Sequence, residues 1–245
     1  MLAAFVQGLR SGRHRGVDVA WGLGFTAVAV TGYLFSAEHG DPYRRLLATV
    51  LVTIWGVRLS AHIWWRSRGA EEDPRYARML SRAPAGRART LYALRTVYLL
   101  QAGILWFVSL PVQAAQYLPG PPGPCAWAGT GLWAVGLFFE AVGDWQLTRF
   151  KADAANRGRV MDRGLWRYTR HPNYFGDACV WWGLFLLAAD TPIGWAFLLS
   201  PVLMTYLLAF GSGKPMLERQ LGSQKPGWDA YVARTSGFFP RPQRR

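Results

Sequence analysis

The stretch "GLWRYTRHPNYFGD", Gly164–Asp177, places basic, aromatic and acidic residues directly before an apolar run. Pro172 suits the first turn of a helix, because the N–H that proline lacks has no helical partner there. A loop that only sets membrane topology needs positive charge alone, whereas this stretch also holds a histidine, an asparagine and an aspartate. It therefore predicts a binding site for an anionic ligand with a polar ring at the edge of a membrane span.

Apolar runs organise the rest of the 245-residue chain, which is 51% hydrophobic. Each run is long enough, or nearly so, to cross a hydrocarbon core of roughly 30 Å as a helix. The runs mostly lack the polar outer face of soluble helices. We predict an all-α fold: a single integral membrane domain over 1–245, a polytopic helical bundle of about six transmembrane helices with a cytoplasm-facing cofactor cavity. The predicted spans are Val17–Ser36, Leu46–Trp65, Leu91–Leu110, Trp127–Leu147, Tyr174–Ala189 and Ile193–Phe210, of which the fifth is short.

The net charge of +14 follows membrane topology rather than a nucleic-acid surface. Of 28 lysines and arginines, 24 lie in the segments 1–16, 66–90, 149–171 and 212–245. With six spans all four segments fall on one side, which is the pattern of the positive-inside rule. We predict a multi-pass protein of the bacterial inner membrane with both termini cytoplasmic. The partners expected are membrane lipids and a lipophilic small molecule, with no nucleic acid.

Neither the cysteines nor the histidines form a metal pattern. Cys125 falls in a predicted outer connector and Cys179 inside a predicted span, and the four histidines are scattered. The "GSGKP" of Gly211–Pro215 lacks the spacing of a phosphate-binding loop, and no strand–GxGxxG–helix unit occurs. We therefore predict no metal, and any nucleotide must be held by side chains of helices and basic loops.

The fourth predicted span carries charge along one face. Glu140, Asp144 and Lys151 are spaced by four and then seven residues, which places them on one side of a helix. Ionisable residues inside a span are candidates for a functional site. A structural salt-bridge ladder and the wall of a polar cavity entered from the cytoplasm are the two interpretations. Asn173 and Asp177, one turn apart, would supply the opposite wall.

Several motifs together resemble a known superfamily. The opening stretch, with "GDWQLTRFKAD" (143–153) and "NRGRV" (156–160), resembles the C-terminal domain of the steroid 5α-reductase superfamily, and more closely its bacterial branch of uncharacterised membrane proteins. "VDVAWG" (17–22) and "EDPRY" (72–76) also look like that branch. A "RHPxYxG" signature is shared with isoprenylcysteine carboxyl methyltransferases and with sterol C14 and C24 reductases. It therefore marks a cofactor-site architecture rather than one reaction.

The resemblance implies an all-helical membrane enzyme that binds NADPH within residues 127–245. Asp144 and Lys151 match the cofactor-holding aspartate and basic residue of the reductases, with Lys where the steroid enzymes have Arg. Asp177 matches an acid that is Glu in those enzymes, and His171 is implied only by the sterol-reductase and methyltransferase versions. The cofactor-binding residues expected are Asp144, Lys151, Arg159, Arg170, His171, Asn173, Tyr174, Asp177 and Glu218.

The resemblance also implies a catalytic acid in the N-terminal spans. Asp18, in "VDVAWG", stands where the steroid enzymes have their catalytic Glu, and Glu140 is the other candidate acid. The position of their catalytic Tyr falls near Trp55, whose indole cannot donate the same proton. The steroid enzymes have seven spans, and we expect this chain to lack a counterpart of the first.

The leading function expected is NAD(P)H-dependent reduction of a conjugated C=C bond in a lipophilic, steroid- or isoprenoid-like substrate. The alternative is an S-adenosylmethionine-dependent methyltransferase acting on a lipophilic thiol or carboxylate. Methyltransferases with this signature usually carry a paired acid near the C-terminus, where Glu218 stands alone in "MLERQL". Lys151 and Arg159 suit a dinucleotide with an extra phosphate. A non-enzymatic lipid-binding or scaffold protein is the third class.

Overall fold

The computed structural model describes residues 1–211, 213–222 and 225–243, and every regular element in that part of the chain is helical. A π-helical turn covers Leu94–Leu99, and 3₁₀ turns lie at Ala154–Asn156, Gly164–Arg167 and Pro192–Phe197. The predicted all-α fold is confirmed. The α-helices are α1 (Leu2–Ser11), α2 (Gly16–Phe35), α3 (Pro42–Ser67), α4 (Pro74–Leu80), α5 (Arg87–Ala93), α6 (Leu100–Tyr117), α7 (Pro124–Ala152), α8 (Pro172–Leu186), α9 (Leu199–Ala209), α10 (Lys214–Gly222) and α11 (Trp228–Arg234).

Five helical runs are long and apolar enough to cross a membrane, so the chain is a membrane protein by length and composition. The runs are Gly16–Phe35, Pro42–Ser67, Arg87–Tyr117, Pro124–Ala152 and Pro192–Arg219, and they contain five of the predicted spans. The remaining one corresponds to α8, which has 15 residues. At 1.5 Å per residue α8 extends roughly 22 Å, less than a hydrocarbon core. The expectation that this span is short is confirmed.

Internal contacts divide the chain into two compact units, residues 1–121 and 122–245. The predicted cofactor-binding half, residues 127–245, lies inside the second unit. That the two units act as one integral membrane domain stays a prediction.

In the first unit, α2 and α3 are in backbone contact. A Cβ added to Gly22 would lie 2.1 Å from the carbonyl oxygen of Gly56, and one added to Gly56 would lie 2.4 Å from the carbonyl oxygen of Gly22. Small residues at such crossings let membrane helices approach closely and gain van der Waals contact. Ser60 Oγ also donates to the carbonyl oxygen of Val19 at 2.8 Å. These contacts pin the two helices at one crossing point.

Two arginines at the start of α3 are buried, with Arg44 2% and Arg45 7% exposed. A buried guanidinium needs hydrogen-bond acceptors to offset its loss of water. The acceptors are backbone and hydroxyl oxygens of the flanking connectors: Gly120 O and Pro121 O for Arg44, and Ser36 Oγ, Ala37 O and Tyr33 O for Arg45. The two side chains therefore anchor the connectors around α3.

In the second unit, α7 and α8 run antiparallel along a seam of glycines. A Cβ on Gly136 or on Gly176 would lie 2.5 Å from the carbonyl oxygen of the other, and the same distance holds for Gly129 and Gly183. Both glycine pairs are seven residues apart on each helix, so the contact repeats every two turns. The seam fixes the register of α7 against α8, and with it the level of every polar side chain beside it.

The C-terminal segment packs on the loop that precedes α8. Tyr231 Oη donates to the carbonyl oxygen of Trp166 at 2.6 Å, and Thr169 Oγ1 donates to that of Phe238 at 2.8 Å. The backbone N–H of Arg170 donates to the carbonyl oxygen of Ser236 at 2.9 Å. The C-terminal tail therefore folds back on the basic loop that precedes α8.

Candidate functional site

The α7 side of the site consists of two buried carboxylates. Glu140 is 2% and Asp144 7% exposed, although both lie in a helix long and apolar enough to span a membrane. A Cβ on Gly176 would lie 2.9 Å from Glu140 Cγ, so the glycine seam leaves room for the glutamate side chain against α8. Lys151 lies at the end of α7 and is exposed. Burial therefore decreases along α7 from the two acids to the base.

The α8 side of the site begins at the first turn of that helix. Asn173 and Asp177 are half-buried, and Asn173 Oδ1 accepts the backbone N–H of Tyr174 at 3.1 Å. A Cβ on Gly143 would lie 3.2 Å from Pro172 Cγ, so the start of α8 contacts α7 directly. The two polar stretches were expected as facing walls of a cavity. The helices touch at this level, and a cavity between the two polar stretches stays a prediction.

Four side chains meet around the start of α8, and we call them the Arg170 cluster: Arg170, His171, Tyr174 and Glu218. Arg170 Nε donates to Glu218 Oε1 at 2.8 Å, and His171 Nε2 lies 3.0 Å from the same oxygen. The imidazole stacks on the Tyr174 ring, with centroids 5.2 Å apart and planes 5° from parallel. Four residues expected at the cofactor site are thus brought together.

His171 is the most enclosed member of the Arg170 cluster, with 1% of its surface exposed. Burial lowers the pKa of His171, although the neighbouring Glu218 carboxylate opposes that shift. A neutral ring that donates its Nε2–H to Glu218 carries a lone pair on Nδ1. Nδ1 is buried and has no hydrogen-bond partner in the described part of the chain. It could accept an N–H or O–H of a ligand that reaches it.

Arg170 also holds the C-terminal segment. Its Nη1 donates to the carbonyl oxygens of Val232 and Thr235, while its Nε binds Glu218. Most of the N–H donors of the Arg170 guanidinium are therefore bonded to groups of the protein itself. The structure therefore places Arg170 as an anchor of the tail beside the site, a role that its position in a basic loop did not predict.

The predicted phosphate-binding residues are Lys151, in the last turn of α7, and Arg159, in the loop after it. Lys151 and Arg159 are both exposed, and the carbonyl oxygen of Arg159 accepts the Lys225 ammonium at 2.9 Å. Burial lowers the pKa of Lys225. Exposed cations beside a buried polar surface suit a ligand whose ring is enclosed and whose charged groups face water.

In the first unit Asp18 belongs to a separate group, the Asp18 cluster: Asp18, Arg75 and Tyr76. Tyr76 Oη donates to Asp18 Oδ1 at 2.5 Å, and Arg75 Nη2 donates to Asp18 Oδ2 at 2.8 Å. Burial raises the pKa of Tyr76, and the Asp18 charge raises it further. Tyr76 therefore keeps its proton at neutral pH and acts as a hydrogen-bond donor.

The tyrosine hydrogen-bond donor of this region was missed by sequence reasoning, which looked near Trp55. Trp55 is fully buried and packs edge-on against Phe25 at 5.6 Å, so it is a core residue. Tyr76 is 58 residues from Asp18 along the chain. The signal was present in "EDPRY", a stretch that contributed to the resemblance without a role for its tyrosine.

Among the residues that the structure describes, no group of three or more His, Cys, Asp or Glu side chains could hold a metal ion. The polar stretches of α7 and α8 offer carboxylate and amide groups. Such groups accept hydrogen bonds from the N–H and O–H groups of an organic ligand.

Comparisons with known proteins extend over most of the chain. Residues 4–235 match the family described as "Protein of unknown function (DUF1295)". The uncharacterized protein C594.04c of Schizosaccharomyces pombe (strain 972) is 25% identical over 252 residues, covering 92% of this chain and 72% of that protein. No solved structure matches the sequence significantly.

Proposed function

Because this chain belongs to the DUF1295 family, which lies in the steroid 5α-reductase-like group, we propose that it is a membrane-embedded, NADPH-dependent reductase of a conjugated C=C bond. The substrate class is lipophilic and steroid- or isoprenoid-like. The observation that carries the proposal is the pair of buried carboxylates, Glu140 and Asp144, beside the polar turn of α8. Charges inside a membrane span are expensive and mark functional sites by default.

The protein's part in this reaction is to bind, orient and exclude water. Asp144, Asn173 and Asp177 would hold the nucleotide, and the exposed Lys151 and Arg159 would meet its phosphates. When bound, NADPH supplies the hydride. A membrane-embedded enzyme can also admit a lipophilic enone from the bilayer.

The proposed acid is Tyr76, with Asp18 as its hydrogen-bond acceptor, and Glu140 is the alternative. A carbonyl oxygen gains negative charge as the conjugated bond is reduced, and a positioned O–H donor stabilises that charge. Tyr76 is protonated and its Oη is already oriented by Asp18. Tyr76→Phe is therefore expected to leave nucleotide binding intact and to abolish reduction of a simple enone.

Nucleotide titration of the purified protein tests the proposal, with S-adenosylmethionine as competitor. We expect NADPH to bind at least about tenfold tighter than NADH, since one charge-assisted hydrogen bond to the extra phosphate contributes about 1.5–3 kcal/mol. Arg159→Ala should remove most of that preference. Asn173→Ala and Asp177→Ala should weaken both nucleotides, and the exposed Glu38→Gln is the matched control. Tight S-adenosylmethionine binding without NADPH binding would refute the reductase.

A methyltransferase is the second candidate, favoured by one specific contact. Glu218 is a single acid where the methyltransferases usually carry a pair, and it lies 3.0 Å from His171 Nε2. If this candidate is right, Glu218→Gln should weaken S-adenosylmethionine binding in protein that remains folded. Under the reductase proposal, the wild-type protein shows no such binding to lose.

We also propose that the protein lies in a bacterial inner membrane with both termini cytoplasmic, as a member of the bacterial branch of its group. The support is the one-sided distribution of 24 of the 28 basic residues. Cys125, beside the connector before α7, reports on this directly once the buried Cys179 is replaced by alanine. An impermeant thiol reagent should label Cys125 in right-side-out cells. Labelling only in inverted vesicles would reverse the orientation.

A further inference from the structure

The N-terminal helix α1 presents three distinct faces. At 100° per residue, one face carries Ala4, Phe5 and Gly8, and a second carries Leu2, Val6 and Leu9. The third holds Ala3, Gln7, Arg10 and Ser11. A helix on the surface of a soluble protein needs one buried and one solvated face, so the second apolar face is unexplained by the protein's own packing.

The first face docks α1 on the first unit. Phe5 packs edge-on against Tyr98 with ring centroids 5.2 Å apart. A Cβ on Gly8 would lie 2.5 Å from Tyr98 Oη and 3.0 Å from His14 Nδ1, so only glycine allows this approach. After the left-handed Gly12, the backbone N–H groups of the next turn donate to Glu72. The helix is therefore held at both ends, and its other faces have fixed directions.

The second face is an apolar stripe left uncovered. Leu2 is 64%, Val6 44% and Leu9 46% exposed. Leu9 also lines a groove of about 250 Å³ between α1 and α5, together with Arg89 and His14. The stripe is thus continuous with a groove that has cationic and polar groups at its edge.

The charged side chains of the N-terminal segment itself are all positive. Residues 1–17 contain three arginines and no aspartate or glutamate. Arg10 and Arg13 are exposed, and four residues after α1 the membrane-spanning α2 begins. A helix with an apolar stripe, arginines beside it and a direct connection to a span has the features of an interfacial amphipathic helix.

We infer that α1 lies in the headgroup region of the membrane, with Leu2, Val6 and Leu9 inserted at the acyl boundary and Arg10, Arg13 and Arg89 facing phosphates. The occupant of the stripe and groove is an anionic phospholipid. One basic residue near an anionic surface contributes about 1 kcal/mol, which corresponds to roughly fivefold local enrichment of the lipid. This inference is independent of the proposed enzyme activity.

A pair of adjacent labels tests the inference in the full chain. With Cys125 and Cys179 replaced, an environment-sensitive fluorophore is attached at Val6→Cys or, as the matched control, Gln7→Cys. The protein is placed in nanodiscs of phosphatidylcholine and phosphatidylglycerol. A lipid-borne quencher should act at least about twofold more strongly at position 6, and aqueous iodide should act more strongly at position 7.

The identity of the lipid is tested with the quencher on one lipid class at a time. At low salt the phosphatidylglycerol quencher should act about twofold more strongly at position 6 than the phosphatidylcholine quencher. Arg10→Gln with Arg13→Gln should remove that difference. Arg167→Gln with Arg241→Gln, two exposed arginines of the second unit, should not.

Three outcomes would overturn the inference. Equal quenching at positions 6 and 7 would place the stripe in water. Shielding of position 6 from both quenchers would place it under protein, such as a second copy of the chain. A phosphatidylglycerol preference that is absent, or that survives loss of both arginines, would show that the lipid is not selected by its charge.

Discussion

The Asp18 cluster and the Arg170 cluster use the same chemical groups in different surroundings. Each joins a carboxylate to an arginine and an aromatic side chain. In the first, Arg75 is 45% and Asp18 25% exposed, whereas in the second Arg170 is 9% and Glu218 19% exposed. His171 adds a neutral ring that is almost fully enclosed. The difference between them is access to water rather than composition.

Access to water decides how much each ion pair matters. An exposed pair gains little, since water screens the attraction and the side chains lose freedom when they are fixed. A buried pair contributes little net stability either, but the loss of one partner leaves a charge without water or counter-charge. The Arg170 cluster should therefore be sensitive to substitution, and the Asp18 cluster should tolerate it. Four predictions test that contrast.

The largest effect is expected for Glu218→Gln. The variant leaves the Arg170 guanidinium buried without its carboxylate, which lowers the free energy of unfolding by about 3–5 kcal/mol. Thermal unfolding in detergent, followed by tryptophan fluorescence, measures the change. A loss no larger than that of the exposed Glu38→Gln would show that the Arg170 cluster is effectively solvated and would break the comparison.

The second prediction concerns the seam beneath the Arg170 cluster. Gly176→Val places a branched side chain where a Cβ already lies 2.5 Å from the Gly136 carbonyl oxygen. We expect a loss of about 1–3 kcal/mol from overpacking, with displacement of Glu140. Gly131→Val, on the neighbouring α7 and with no atom within 4 Å of an added Cβ, is the control. Similar losses in both would mean that the helices are not in close contact.

The third prediction is a difference in pH dependence. Burial lowers the pKa of His171 from 6.5, so below about pH 6.5 the unfolded chain takes up a proton that the folded chain refuses. Stability should fall with decreasing pH by up to about 1.4 kcal/mol per unit. The half-buried His14 has a lowered pKa for the same reason and adds to this slope. His171→Gln should make the slope shallower between pH 6.5 and 5, and an unchanged slope would contradict the prediction.

In the Asp18 cluster region the pH window is lower. Burial would raise the pKa of Asp73, but the hydrogen bonds and charge of Arg75 outweigh it, so the pKa is lowered from 3.8. The stability that Asp73 contributes is present above about pH 4 and is lost as the pH falls through its lower folded pKa. Asp73→Asn should therefore leave the slope of stability against pH unchanged between pH 6.5 and 5.

The smallest effect is expected for Asp18→Asn. It removes a partly exposed ion pair with Arg75 but keeps a hydrogen-bond acceptor for Tyr76, so the free energy of unfolding should change by less than about 1 kcal/mol. The same thermal assay as for Glu218→Gln measures it. A loss as large as that of Glu218→Gln would show that the two clusters are energetically alike.

The sequence was sufficient to predict the long apolar helices, because apolar length and turn residues are local signals. The runs around Val17 and Leu46 and the α7 register of Glu140 and Asp144 needed no knowledge of distant residues. The short α8 was likewise visible as a short run. Burial of the two acids also follows locally, since a carboxylate in the middle of a long apolar helix has few ways to reach water.

Contacts between distant residues were not predictable in the same way. Glu218 meets Arg170 across 48 residues, and Tyr76 meets Asp18 across 58. Packing decides such pairs, and a single sequence does not show it. The glycine seam was hidden for a related reason: Gly136 and Gly131 look alike in the sequence, yet only Gly136 faces another backbone.

The buried arginines of α3 have a consequence for the order in which the chain is assembled. The acceptors of Arg45 at Ser36, Ala37 and Tyr33 are synthesised before it, so its contacts can close as soon as α2 and α3 pair. Arg44 must wait for Gly120, 76 residues later. At about 5–20 residues per second, that delay is roughly 4–15 s. The hairpin of α2 and α3 can therefore complete its Arg45 contacts before the contacts of Arg44 with Gly120 and Pro121 form.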